Sequence, residues 1–244
     1  MKLQKKILGF HKILHPHDGP SIYDFLTSVF RKYDIQSKNF SITYDNSSNN
    51  KNAINFFVRT IREGPWSEIF HVGCICHIIN LIVQDGLKLI SPSLKIIQSA
   101  IQFLNSSNKL QEFYTLCPLV GLKKRKFHHD IGHRCNSTYL MLKSCEWYHN
   151  ILLNYVNSKT DEIIITSDDW EKGFAFWKFL KVFYDTTNMC SVVYTLTSCI
   201  TFKCICNMSD VFQQYREHPF FSEICVQMER KNWNIGRLFH HFIV

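Results

Sequence analysis

A chain of 244 residues can hold one large domain or two small ones around a substantial core. Its 45% apolar content, with 20 Phe and 5 Trp, excludes a disordered chain, and no apolar run reaches the roughly 18–20 residues that span a bilayer. The net charge of +8 permits nucleic-acid binding through phosphate neutralisation but does not establish it. The start, MKLQKKILGF, is interrupted by His11 and Lys12 before it reaches signal-peptide length, so an intracellular protein is expected. With no sign of export, the 10 cysteines are expected to be reduced thiols.

In chain order, residues 3–14 mix Lys with apolar residues and predict a strand, followed by the turn HPHDGP. Ile22, Phe25, Leu26, Val29, Phe30 and Tyr33 then mark one face of a helix that Pro20 opens. Phe40, Ile42 and Tyr44 alternate with Ser41 and Thr43 and predict a strand over 39–44. Ile54, Phe57, Val58 and Ile61 predict a second amphipathic helix, residues 68–74 a short buried strand, and 76–90 a helix apolar nearly all round. The order β-α-β-α-β-α predicts an α/β domain over 1–92 whose sheet has parallel members.

From about residue 93 the pattern becomes helical, which sets a second, mainly helical region over 93–244. Ile97, Ala100, Ile101 and Leu104 share one face, and Leu110, Phe113, Tyr114 and Cys117 another. Residues 136–156 predict one longer helix. A further helix over 166–184 opens with Ser/Asp capping residues and first-turn acids suited to its dipole. Residues 191–206 are β-branched and Cys-rich and fit helix or strand equally.

Three stretches could carry chemistry. Asp45 ends the strand at 39–44 and runs into an Asn/Ser-rich turn. It is either the first residue of that turn, with Asn46, Ser47 or Ser48 capping the next helix, or a carboxylate at the ligand-binding edge of an α/β sheet. Cutting a phosphodiester with Mg²⁺ needs two or three such carboxylates, and one Asp does not make the site. Cys74 and His77, spaced C-x-x-H, can face the same way at a helix start. Structural zinc needs four ligands, no second pair stands at finger spacing, and no metal site is expected. His77 is instead expected as a buried, hydrogen-bonded residue that organises the surroundings of Asp45. The third stretch, 122–134, is the densest in positive charge. Its cations are Lys123, Lys124, Arg125, Lys126 and Arg134, and Asn136 and Ser137 just beyond it read as a helix start.

ITYDNSSNN, FHVGCICHIINLIVQDGLKLI and DIGHRCNSTYLMLKS together resemble, in order and spacing, the core of plant hAT-superfamily transposases, nearest to the RICESLEEPER-like, BED-finger-bearing group. The likeness covers roughly residues 1–215 and leaves out the final NIGRLFHHFIV. It implies an RNase H-like catalytic core with a helical insertion, in which three acids hold the metal ions that cut DNA. Asp45 matches the second acid, Cys74 and His77 the C-x-x-H pair, and Arg134 the arginine of an R-W-N-S motif. Cys135 stands where that motif has Trp, and Gly73 where the family has Arg. The first and third acids have no counterpart in these residues, which then read as the middle of a transposase with an incomplete RNase H-like mixed sheet. Residues 3–14 are expected to close onto the strand at 39–44 or to sit loosely, because an unpaired sheet edge seeks a partner.

The function expected from this reading is that of a transposase-derived nuclear protein that is catalytically inactive. It would bind DNA weakly and without sequence preference through Lys123, Lys124, Arg125, Lys126 and Arg134. No cofactor is expected, no membrane is involved, and Trp170 and Trp177 are expected in the core. One alternative is a residual nuclease that uses Mg²⁺ or Mn²⁺ at Asp45. Another is a non-functional fragment, or an interaction module that pairs with a full-length transposase-like relative.

Overall fold

The computed structural model describes residue 4 and residues 6–13, 16–39, 41–61, 71–131, 134–191 and 198–229. They fall into two compact units, whose division lies between Ile79 and Asn80. Among the described residues no helix is long and apolar enough to cross a membrane.

The first unit takes in the described residues up to Ile79 together with 189–191 and 198–202. Helix α1 (Gly19–Lys32) starts where the sequence places it. Asp18 accepts a hydrogen bond from the Ser21 N–H at 2.9 Å, and Pro20 occupies the first turn. Strand β1 (Ile42–Tyr44) leads through the Asn/Ser turn to α2 (Ser48–Ile61). Phe57 and Ile54 of α2 are buried against Tyr23, Leu26 and Phe30 of α1, and Ile42 and Tyr44 close the cluster from β1. The Phe57 ring lies 4.8 Å from Tyr23 and 5.5 Å from Phe30, centroid to centroid.

Strand β2 (His71–Gly73) pairs with β1 in parallel, in the register Ile42 to His71, Thr43 to Val72 and Tyr44 to Gly73. The mixed sheet expected from the sequence is therefore corrected: among the described residues the sheet has two strands, both parallel. The strand expected over 3–14 is likewise absent from residues 6–13. Ile7 and Leu8 are adjacent and break strict alternation, and Phe10 stays in solvent, so no apolar face forms there to be covered. Of the strand expected over 68–74, residues 68–70 lie outside the described residues.

Helix α3 (Ile75–Phe103) runs straight through the boundary expected near residue 92, with Pro92 inside it. Proline removes one backbone hydrogen bond, yet Ile90, Leu94, Ile97 and Ile101 remain buried on either side of it and hold the helix together. The second unit comprises 80–188 and the described residues from 203 on. It is helical: the rest of α3, then α4 (Ser107–Leu116), α5 (Cys135–Ser144), α6 (His149–Lys159), α7 (Ser167–Cys190), α8 (Ser198–Tyr215) from residue 203, and a last helix over 222–229.

The single helix expected over 136–156 is two helices. The turn at 145–148 breaks it, with the Tyr148 N–H bonded to the Cys145 carbonyl at 2.9 Å. That break sends Tyr148 inward and leaves Trp147 in solvent. The cap expected at 166–169 is reciprocal. The Thr166 N–H donates to Asp169 Oδ2 at 3.0 Å and the Asp169 N–H donates back to Thr166 Oγ1 at 3.2 Å. Trp170 is buried, stacked 5.5 Å from Phe174, and Trp177 is half-buried. Phe176, Phe179 and Phe183 of α7 meet Phe212 and Phe221 in the centre of the unit.

Removing the Phe57 ring takes the central piece from the small core of the first unit. Phe57→Ala is expected to cost about 3–5 kcal/mol. The expected readout is a lower urea midpoint with faster amide exchange in α1 and α2. An unchanged midpoint contradicts this placement of the core.

Candidate nucleic-acid interface

The basic stretch is a loop whose backbone is fixed at several points. At its start, Gly121 takes a left-handed conformation (φ 74°) that ends the 3-10 turn Cys117–Val120, and the Leu122 N–H bonds the Cys117 carbonyl at 2.9 Å. The Lys123 carbonyl accepts from Tyr148 Oη at 2.7 Å. Phe127 turns into the core, its ring 5.7 Å from Phe113 and 5.6 Å from Tyr148, both edge-on. With Phe127 held inside, the side chains of Lys123, Lys124, Arg125 and Lys126 all stay exposed.

The far end is tied by Asp130. Gln98 of α3 donates to its Oδ2 at 2.6 Å, and Thr138 of α5 donates to its Oδ1 at 3.0 Å. The Ser137 hydroxyl lies 2.6 Å from the same Oδ1 and accepts the Ile131 N–H at 2.8 Å. Ser137 is thus more than the helix start read from its sequence. Arg134 enters α5 exposed, and the Cys135 N–H just after it donates to Asn80 Oδ1 at 2.8 Å. Cys135, in the place of the motif's Trp, is buried. Among the described residues none of the five loop cations forms an ion pair.

Asp45, Cys74 and His77 all belong to the first unit. The Cys74 N–H donates to the Tyr44 carbonyl at 2.7 Å, and Asn46 Nδ2 reaches the Cys74 carbonyl at 3.3 Å, so the chain on both sides of Asp45 is joined to Cys74. Gly73 makes this possible, since a Cβ there would come within 2.0 Å of Asn46 Oδ1. An arginine at that position would have to displace Asn46.

Asp45 itself is exposed and builds the turn. Its Oδ1 accepts the Ser47 N–H at 2.8 Å and Asn50 Nδ2 at 2.9 Å, while the Asn50 N–H reaches Ser47 Oγ at 3.4 Å. The Ser47 N–H above all, then the Asn50 amide and the charge of His77, hold the Asp45 carboxyl below the usual carboxylate range. Cys74 and His77 are half-buried. Cys76, also half-buried, has its Sγ 3.5 Å from Ser191 Oγ, and burial pushes its thiol up.

Among the described residues no three His, Cys, Asp or Glu side chains stand close enough to share a metal ion. With Asp45 Oδ1 already committed to two donors in the turn, the described surroundings do not fit a pair of divalent ions.

Two measurements follow from this geometry. Asp130→Ala strands Gln98 and Thr138 at once, while the Ser137 hydroxyl keeps the Arg134 carbonyl at 2.6 Å. It is expected to cost about 1–3 kcal/mol and to speed amide exchange at Ile131, whereas unchanged exchange contradicts the anchor. For Asp45, a depressed folded pKa means stability that is present above the ordinary carboxylate value and lost as pH falls through the folded one. Wild type is therefore expected to exceed Asp45→Asn in thermal midpoint at neutral pH, with the gap closing in acid. A gap that widens in acid contradicts the sign.

Comparison with known proteins places these features in a family. Residues 1–64 match the family model of the ZBED1 RNase-like domain, and residues 72–176 that of the ZBED1 RNase-like helical domain. Two Zea mays proteins named as the AC and AC9 transposases are 29% and 26% identical, each over 97% of this chain and over 31% and 33% of their own lengths. The zinc finger BED domain-containing protein RICESLEEPER 1 of Oryza sativa subsp. japonica is 24% identical over 94% of this chain and 33% of its own. The chain spans about a third of the length of these relatives. The two matched domains and these relatives together identify the family: the chain belongs to the hAT family of transposase-like proteins.

Proposed function

We propose that this chain is a DNA-binding, transposase-derived protein of the nucleus that holds DNA weakly, without sequence preference, and does not cut it. The observation that carries the reading is the loop at 122–134. Five exposed cations with no ion-pair partner among the described residues stand on a backbone fixed by Phe127, Tyr148 and Asp130. Phosphate contacts of this kind supply affinity but carry no sequence information. Phe127, the one Phe, Tyr or Trp of the loop, points inward, and the exposed rings among its described residues are the imidazoles of His128 and His129.

No metal or cofactor enters the proposal. Asp45 serves the turn and the α2 cap, and the carboxylates needed to share two ions with it are not among its described neighbours. The names of the relatives speak of transposases and BED zinc fingers, which supports the nuclear, DNA-bound setting proposed here.

Anisotropy with labelled duplexes of unrelated sequence at low salt tests binding. Changing Lys123, Lys124, Arg125 and Lys126 together to Glu is expected to weaken every duplex alike, by about a hundredfold or more. A variant that binds as well as wild type overturns the assignment. Plasmid incubated with Mg²⁺ or Mn²⁺ is expected to stay supercoiled, whereas nicking that Asp45→Ala abolishes contradicts the second half of the proposal.

A further inference from the structure

Beside the basic loop lies an open groove of about 560 Å³. One wall is a face of α6 and the turn before it: Trp147, Ile151 and Asn154 follow at intervals of three or four residues. The other wall is the 3-10 turn, with Leu119, Val120 and then Leu122. Leu119 is 79% exposed, Trp147 70% and Val120 58%, so this apolar surface faces solvent. Leu122 passes directly into Lys123, whose carbonyl is held by Tyr148, the neighbour of Trp147. The apolar walls therefore run up to a positively charged rim.

We propose that this groove docks an amphipathic helix of another protein, its apolar stripe laid along α6 and its acidic residues meeting Lys123 and Lys124. A contiguous exposed apolar surface with a polar border is the usual mark of a protein contact. A groove along one helix suits apolar anchors spaced three and four apart on a partner helix. The sign of the rim selects an acidic partner over a basic one. Nucleobases fit the walls less well. Leu119, Val120, Leu122 and Ile151 are aliphatic, and Trp147 is the exposed ring among the lining residues. Tyr155, the other ring in the groove, is buried with its hydroxyl 3.0 Å from Glu112 Oε2 and 3.1 Å from the Lys109 carbonyl.

The test uses the whole chain and three labelled probes. They are a synthetic helical peptide with a Leu stripe and a Glu flank, the same peptide with Lys for Glu, and a single-stranded oligothymidylate. The acidic peptide is expected to bind and the basic one to bind at least tenfold more weakly. Trp147→Ala and Leu119→Asp are each expected to weaken the acidic peptide about tenfold or more. Both positions are exposed, so an unchanged thermal midpoint confirms that each variant still folds. Lys123→Glu with Lys124→Glu is expected to reverse the preference between the two peptides.

Three outcomes overturn the proposal. One is peptide binding that is indifferent to Trp147 and Leu119, or no peptide binding at all. Another is oligothymidylate binding that Trp147→Ala abolishes, which gives the groove to nucleic acid. The third is concentration-dependent self-association that Leu119→Asp abolishes, which gives it to a second copy of this chain.

Discussion

The Asp130 carboxylate decides what the most highly charged part of this molecule can do. Accepting from Gln98 on α3 and Thr138 on α5, with the Ser137 hydroxyl beside it, it fastens the end of the loop to two helices. Fixing a residue's backbone costs about 1–2 kcal/mol of conformational entropy. A loop ordered by folding has met that cost before any ligand arrives. A flexible lysine-rich tail would meet it on binding, and its contacts would be weaker by that amount.

The charges on this loop differ from those of the six cations that form ion pairs among the described residues. Lys88 is 2.7 Å from Asp85 and Lys172 is 2.6 Å from Asp168, and Lys181 is paired with Asp185. Such surface pairs contribute little stability, about 0–1 kcal/mol each, but they cancel one another's field. Lys123, Lys124, Arg125 and Lys126 follow one another without an intervening acid, and the nearest acid in sequence, Asp130, is turned toward α3 and α5. Their field adds instead of cancelling, which draws a polyanion.

Local signals in the sequence led to the right elements where one residue type could do only one job. Pro20 marked the start of α1 and the Ser/Asp run that of α7, to which the structure adds Asp18 and Thr166 as caps, and the spacing of Ile54 and Phe57 marked the buried face of α2. Two readings of Asp45 stayed open on sequence grounds, and its hydrogen bonds to Ser47 and Asn50 show the turn in place. What could not be read depended on distant partners. A strand over 3–14 needed a sheet edge to meet. Helix α3 continues through Pro92 because Ile90, Leu94, Ile97 and Ile101 are buried on either side of it. The split at 145–148 followed from Tyr148 reaching the Lys123 carbonyl, 25 residues away. Nothing in the sequence around Asp130 marks it outright as an anchor, because the residues that hold it come from 98 and 137–138. Its proximity to Ser137 and Thr138, seven and eight residues on, was the one available hint.

The central claim is that five cations on a fixed loop, with no ion-pair partner among the described residues, meet phosphates together. Duplex affinity measured across a range of salt concentrations tests it most directly, because each neutralised phosphate adds about −0.9 to the slope of log K against log salt. A slope of about −4 to −5 is the result this account requires. Affinity that stays flat as salt rises would contradict it.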